Sequence, residues 1–253
     1  MEVSHISSEK YLGQVISSDS KNTRNIEKIR NKGIGIQNRV IQMLEAMPGG
    51  QFHFEIAIIL RNSHIISSML SSSEVWYGIT QVELEQLEQV DEMWVRNLMH
   101  CSNTVPKDLL YLELSILPIR YIIQTRRLLY LHHILQNKRE SLLRRFFEAQ
   151  LLNPTHRDWA TQVLEDLEEL GIDLELEQID EMKRDFFKSI VKDAVQRKAF
   201  ENLINRKNSR TSENAKGKLI QYEDFTMAEY LSPNTEQILI EERNGFSGAE
   251  WMI

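Results

Sequence analysis

Apolar residues recur along most of this chain at the three- and four-residue spacing of helices, not the alternation of strands. Between Lys21 and Met47, at about 100° per residue, Ile26, Ile29, Ile36, Val40, Leu44 and Met47 share one face, and Pro48-Gly49-Gly50 ends the pattern. Phe52–Leu70 is densely apolar, and its length favours a buried helix although its Ile content suits a strand locally. Ahead of these, Tyr11–Ser17 reads as a short strand, closed by the turn residues Ser18-Asp19-Ser20.

Capping signals place the later helices. Thr80-x-x-Glu83 is a capping box that opens a helix over Gln81–Met99. Leu84, Leu87, Trp94 and Leu98 line its apolar stripe, with Asp91 in the same register. A buried carboxylate there needs a cation, and Arg61 or Arg96 is the expected partner. Pro106 marks a first turn, and Pro118 breaks the chain before helices over Ile119–Gln136 and Glu140–Leu152. Thr155-x-x-Asp158 resembles a capping box, and Gly171 closes that helix. Glu177–Arg206 reads as one long helix, acidic at its start and basic at its end. Lys207–Lys218 lacks aliphatic anchors and reads as a linker, with short helices expected at Tyr222–Leu231 and Asn234–Arg243. The expected fold is mainly α: one or more helical bundles with a short N-terminal β element. Its segments are 1–20, 21–100, 101–206 and a linker with tail over 207–253.

Composition narrows the class. Among 253 residues there are 10 Gly and 5 Pro, too few for a long strand-and-turn architecture. A single cysteine, Cys101, rules out an internal disulfide and zinc held by two thiolates. The polar start Met1–Lys10 is unlike a signal peptide, and the longest aliphatic run, Ile56–Leu60, is far short of the roughly 20 residues of a membrane span. The expectation is an intracellular protein, cytoplasmic or nuclear, with no membrane partner. No phosphate loop is present, since Gly33-Ile34-Gly35 lacks the third glycine and the strand before it. His132 and His133 are neighbours and diverge on a helix, so they make a poor metal pair. No Asp-Asp pair occurs. No catalytic residue, metal site or cofactor is expected.

The net charge of −7 hides segregated blocks: residues 151–181 carry one cation against ten acids, residues 182–220 eleven cations against four acids. On the first helix Lys21, Arg24, Lys28, Lys32 and Arg39 fall within an arc of about 80°, with Gly35 on the same side. Such a row suits the phosphates of a nucleic acid, and a glycine in it admits close approach of a backbone. It suits a plain solvated face equally. A second basic set comprises Arg120, Arg126, Arg127, Lys138, Arg139, Arg144 and Arg145. The members of Arg126-Arg127 and of Arg144-Arg145 are adjacent and cannot aim alike, so one member of each of these two pairs is expected to bridge to the acidic block at 165–181. Trp76, Tyr77, Trp94 and Trp159 have the chemistry to stack on bases, but their apolar neighbours mark them as core.

Several strings together carry a family resemblance. They are Lys10-Tyr11-Leu12-Gly13 with the strand and turn after it, Asn25–Gly35 (NIEKIRNKGIG), Ala57–Leu70, Glu74–Thr80 and Leu84–Arg96. Tyr111–Arg127, Asp158-Trp159 and Glu229–Pro233 complete them. The chain over roughly 10–240 resembles the region that follows the polymerase active site in reverse transcriptases of non-LTR retrotransposons. That resemblance implies that Tyr11, Leu12 and Gly13 belong to a primer grip. It also implies that residues 21–100 form a thumb carrying the Lys21, Arg24, Lys28 and Lys32 row, and that the helices from 101 onward are a connector. The palm carboxylates of the family, with their aromatic-x-Asp-Asp signature, are absent, as is a C-terminal Cys/His knuckle. The implied protein is a truncated relative, not a polymerase by itself, that binds RNA, DNA or their hybrid. The alternatives are a helical protein–protein interaction module, or a decayed gene product without enzymatic role.

Overall fold

The computed structural model describes residues 8–11, 14–17, 22–46, 54–155 and 158–214. The protein is mainly α, as the periodicity predicts. Strands β1 (Ser8–Tyr11) and β2 (Gln14–Ser17) pair antiparallel, Ser8 opposite Ser17 and Tyr11 opposite Gln14. Helix α1 (Thr23–Glu45) packs on α4 (Gln81–Leu98) and on the segment between them. That segment is one nearly continuous helix: α2 (Phe54–Leu60), a π-helical stretch Arg61–Ile66, and the last turn α3 (Ser67–Met69). The wider π turn keeps Ala57, Arg61, Ile65 and Met69, spaced by four, on the buried side. Then come α5 (Lys107–Glu113), α6 (Ile119–Leu135), α7 (Leu142–Leu152), α8 (Trp159–Glu169), α9 (Leu176–Glu181) and α10 (Arg184–Asn214).

Helix starts follow local chemistry. Thr80 and Glu83 form the expected box: the Glu83 amide donates to Thr80 Oγ1, and the Thr80 amide donates to Glu83 Oε2 at 3.0 Å. Pro106 and Pro118 sit at the N-caps of α5 and α6, where a missing N–H costs nothing. At α8 the cap is Asp158 and not Thr155. Asp158 Oδ1 accepts from the Thr161 amide at 2.7 Å, and Oδ2 accepts from the Thr155 amide at 2.6 Å. Burial raises the Asp158 carboxyl, but these amide and hydroxyl donors outweigh it and hold it at about 2.

Three helices end in the same way. After α8, Gly171 adopts φ +65°, its amide donates to Glu168 O, and the Ile172 amide reaches Leu167 O. The same pair of bonds closes α4 around His100 and α5 around Ser115, both at φ +50° without being glycine.

Two apolar clusters form the core. The first joins α1, the α2–α3 segment, α4 and α5 with Ile119, Ile122 and Ile123 of α6 and Leu203 of α10. The second joins Tyr121, Leu128, Leu131 and Leu135 of α6 with α7, α8, α9 and the first half of α10. Helix α6 therefore belongs to both, and the boundary expected at 100/101 does not coincide with the division between the cores. Two further expectations change. Glu177–Arg206 is broken at Met182, whose backbone is extended (φ −74°, ψ 146°). No Pro or Gly lies there; the tertiary contacts of α6 and α7 capture the chain instead. His132 Nε2 donates to Met182 O at 3.0 Å, Gln136 donates to Asp180 O, and Arg144 pairs with Asp180. Beyond it, α10 continues to Asn214, so residues 207–214 are helical where a linker was expected. The tail expected over 221–253 lies outside the described residues.

The two glycines of α1 do different things. A Cβ on Gly33 would lie 2.7 Å from Met69 Sδ and 3.2 Å from Val90 Cγ1, so Gly33 sets how closely α1 approaches α3 and α4. A Cβ on Gly35 would meet nothing within 4 Å. Gly33→Ala is expected to destabilise the fold by about 1–3 kcal/mol through overpacking. Gly35→Ala is expected to stabilise it by about 0.5–1 kcal/mol through helix propensity, both read from denaturant melts. The depressed Asp158 carboxyl adds stability that is fully present above its unfolded value near 4 and is lost as pH falls toward 2. Asp158→Asn should flatten thermal stability between pH 4 and pH 2 relative to the parent chain.

Candidate nucleic-acid interface

Helix α1 presents its apolar side to the first core through Ile26, Gly33 and Val40, with Asn25 and Gln37 buried beside them. The cation row flanks that side. Arg24, Lys32 and Arg39 are exposed and Lys28 is half-buried. Arg24 and Lys28 also engage neighbouring groups of the protein. Lys32 Nζ donates to Ser68 O at 3.4 Å, which leans the chain toward α3. Gly35 is exposed within the same arc, and Glu27 and Glu45 fall about 60° outside it. Lys21 lies outside the described residues, as do Leu12 and Gly13; Tyr11 closes β1. The structure thus brings Arg24, Lys28, Lys32 and Arg39 onto one outward face.

The second basic set divides differently. Arg127 is buried: its Nε and Nη2 grip Asp166 at 2.6 and 2.9 Å, and Nη1 donates to Trp76 O at 3.2 Å. Burial pushes the Asp166 carboxyl up, and Arg127 and Gln124 only partly offset that. Arg144 pairs with Asp180 at 3.0 Å and Glu148 at 3.1 Å while its Nη1 holds Leu135 O. Desolvation lowers its basicity, but those carboxylates win and raise it above the ordinary guanidinium value. Arg120 pairs with Glu169 at 3.1 Å. One member of each adjacent pair, Arg127 and Arg144, therefore bridges to the acidic block as expected. As phosphate ligands Arg127 and Arg144 are corrected, since all their nitrogens are committed to the protein, whereas half-buried Arg120 gives one nitrogen to Glu169. Lys138, Arg139 and Arg145 stay exposed. Arg126 donates to Leu70 O and to Ser73 Oγ at 3.5 Å, and its Nε is buried without a hydrogen-bond partner.

Asp91 is fully buried, and its partner is Arg61. Arg61 Nε donates to Oδ1 at 2.7 Å, Nη2 to Oδ2 at 2.6 Å, and Tyr111 Oη to Oδ2 at 2.8 Å. Desolvation lowers the Arg61 basicity, and Asp91 more than reverses it. Arg96 instead pairs with Glu92 at 2.7 Å on the surface of α4. Trp76, Trp94 and Trp159 are core residues, as their neighbours predict, whereas Tyr77 is exposed. His132 and His133 do diverge. His132 is buried on Phe187, and His133 is exposed and stacks on Tyr130 with centroids 5.9 Å apart. Among the described residues no cluster of His, Cys, Asp and Glu is arranged to hold a metal ion, and no helix is long and apolar enough to cross a membrane.

No sequence signal puts the exposed His133 and the half-buried Tyr130 in one cleft with Lys183 and Arg184, which lie about 50 positions further along the chain.

Arg127→Leu, which leaves Asp166 buried without its cation, is expected to cost about 3–5 kcal/mol in denaturant unfolding. The exposed Arg145→Glu should stay within about 0.5 kcal/mol of the parent.

No family model matches this chain, and no curated protein or solved structure matches it either.

Proposed function

We propose that this protein binds nucleic acid through the outward cation face of α1, contacting backbone phosphates without reading bases. The observation that carries the reading is the arc itself. Arg24, Lys28, Lys32 and Arg39 run along about four turns of one helix, with an exposed glycine among them whose conformational cost nothing inside the fold requires. Neighbouring cations on one rigid rod repel each other, and a polyanion relieves that repulsion while releasing its own counterions. The resemblance to the thumb and connector of non-LTR retrotransposon reverse transcriptases supports the same reading, with an RNA, DNA or RNA/DNA duplex lying along α1, and it implies a primer-grip role for Tyr11, Leu12 and Gly13. The proposed activity of these residues is binding to the nucleic-acid backbone.

A second reading, a protein–protein interaction module, is favoured by a different surface. On α7, Leu142, Phe146 and Leu152 are 83%, 63% and 81% exposed, an unusual apolar display for one short helix.

Replacing Arg24, Lys28, Lys32 and Arg39 with Glu is expected to weaken binding to an RNA/DNA hybrid by at least about a hundredfold. It should also reduce the slope of log affinity against log salt by about three to four. Unchanged affinity with a flat salt dependence would reject the nucleic-acid reading. A stoichiometric complex with a protein, stable in high salt and broken by Phe146→Glu, would favour the module.

A further inference from the structure

An open cleft of about 830 Å³ lies between α6, the turn at 72–74 and the α9–α10 junction. Its volume falls in the range of small-molecule sites. One wall carries Arg126, the other Lys183 and Arg184, and the Tyr130 and His133 rings lie along α6 between them. Three acids also line it: Glu74, Asp180 and Glu181. Asp180 is held by Gln136 and by Arg144 at 3.0 Å, an arginine it shares with Glu148, which leaves Arg126, Lys183 and Arg184 facing Glu74 and Glu181 most directly.

Two details point to a ligand. Arg126 is incompletely satisfied: Nη1 bonds Leu70 O and Ser73 Oγ while the buried Nε has no partner. Burial lowers its basicity, and Glu74 offsets only part of that. The Nε is sealed from the cleft, but an anion there would still feel the delocalised charge of the Arg126 guanidinium that lines it. The second detail is the ring stack. Trp159 braces Tyr130 edge-on at 5.7 Å, and His133 stacks on Tyr130 with its planes 24° apart. The outer face of His133 has no ring partner among the described residues and is exposed, a ready surface for a planar group.

The cleft also adjoins the α1 row. Lys32 Nζ bonds Ser68 O and Arg126 Nη1 bonds Leu70 O, two carbonyls of one turn. The two cations are thereby anchored on carbonyls two residues apart in the chain.

We propose that this cleft takes a base-plus-phosphate unit, with the phosphate on Arg126, Lys183 and Arg184 and the base against His133. The unit is either the end of a strand that follows α1, which rests on the proposed function above, or a free nucleotide, which does not.

The test uses the full chain with three probes: a purine nucleoside monophosphate, inorganic phosphate and a short single-stranded oligonucleotide, each titrated by calorimetry. Lys183 and Arg184 are exposed, so the double variant Lys183→Glu, Arg184→Glu should melt like the parent. It should weaken the monophosphate about tenfold or more, and His133→Ala at least about fivefold. If the oligonucleotide weakens in parallel, the source is a strand. If only the monophosphate responds, the source is a free nucleotide. Inorganic phosphate binding as tightly as the monophosphate, with His133→Ala silent, would overturn the base contact and with it the site. Cleft variants silent toward every probe, while charge reversal on α1 still abolishes oligonucleotide binding, would overturn this inference and leave the α1 reading standing.

Discussion

The buried pair between Arg61 and Asp91 is the contact on which the arrangement of the first core depends. Its donors reach three separate pieces of chain. The guanidinium sits on the π-helical stretch, the carboxylate on α4, and Tyr111 of α5 donates to the same carboxylate. A further bond from Nη2 to Leu117 O, at 3.2 Å, ties down the residues that enter α6. Two charges removed from water at that depth are costly unless every lone pair is matched, and here the match is bidentate. The pair thereby fixes a register. Sliding α4 by one turn against the α2–α3 segment would strand both charges. Helix α1 rests on that platform, with Gly33 seated on Met69 and Val90.

Arg127 and Asp166 play the corresponding part in the second half of the molecule. Their ion pair joins α6 to α8, and a bond from Arg127 to Trp76 O reaches back to the chain before α4. Trp159 Nε1 donates to Glu74 O at 2.8 Å and adds a second tie across the same gap. The two cores share α6 and are clamped by charges that point inward. This is what separates the basic residues into two populations. Those facing an acidic neighbour across a helix–helix contact become structural. Arg24, Lys32 and Arg39 of α1 and Arg184 at the start of α10 lie on the solvent side of their helices.

Much of this was legible from local rules. The capping box at Thr80, the prolines before α5 and α6, and Gly171 at the end of α8 act within a few residues of themselves, and the structure places them as the sequence predicts. Asp91 was legible as a buried carboxylate because it shares a register with Leu84, Leu87, Trp94 and Leu98, and of its two expected partners Arg61 is the one it pairs with. The cap of α8 lies three residues after the expected Thr155, at Asp158, whose carboxylate accepts from the Thr161 amide and whose backbone is extended. The break at Met182 had no local signal at all.

The sequence by itself determined the helical class, most helix starts and stops, the apolar face of α1 and the angular grouping of its cations. All of these follow from periodicity and from hydrogen bonds that close within one turn. Tertiary structure alone decided which arginines are consumed by carboxylates, where α9 parts from α10, and that His133, Arg126 and Lys183 share one cleft. Those outcomes depend on distances between residues dozens of positions apart, and no spacing along the chain encodes such distances.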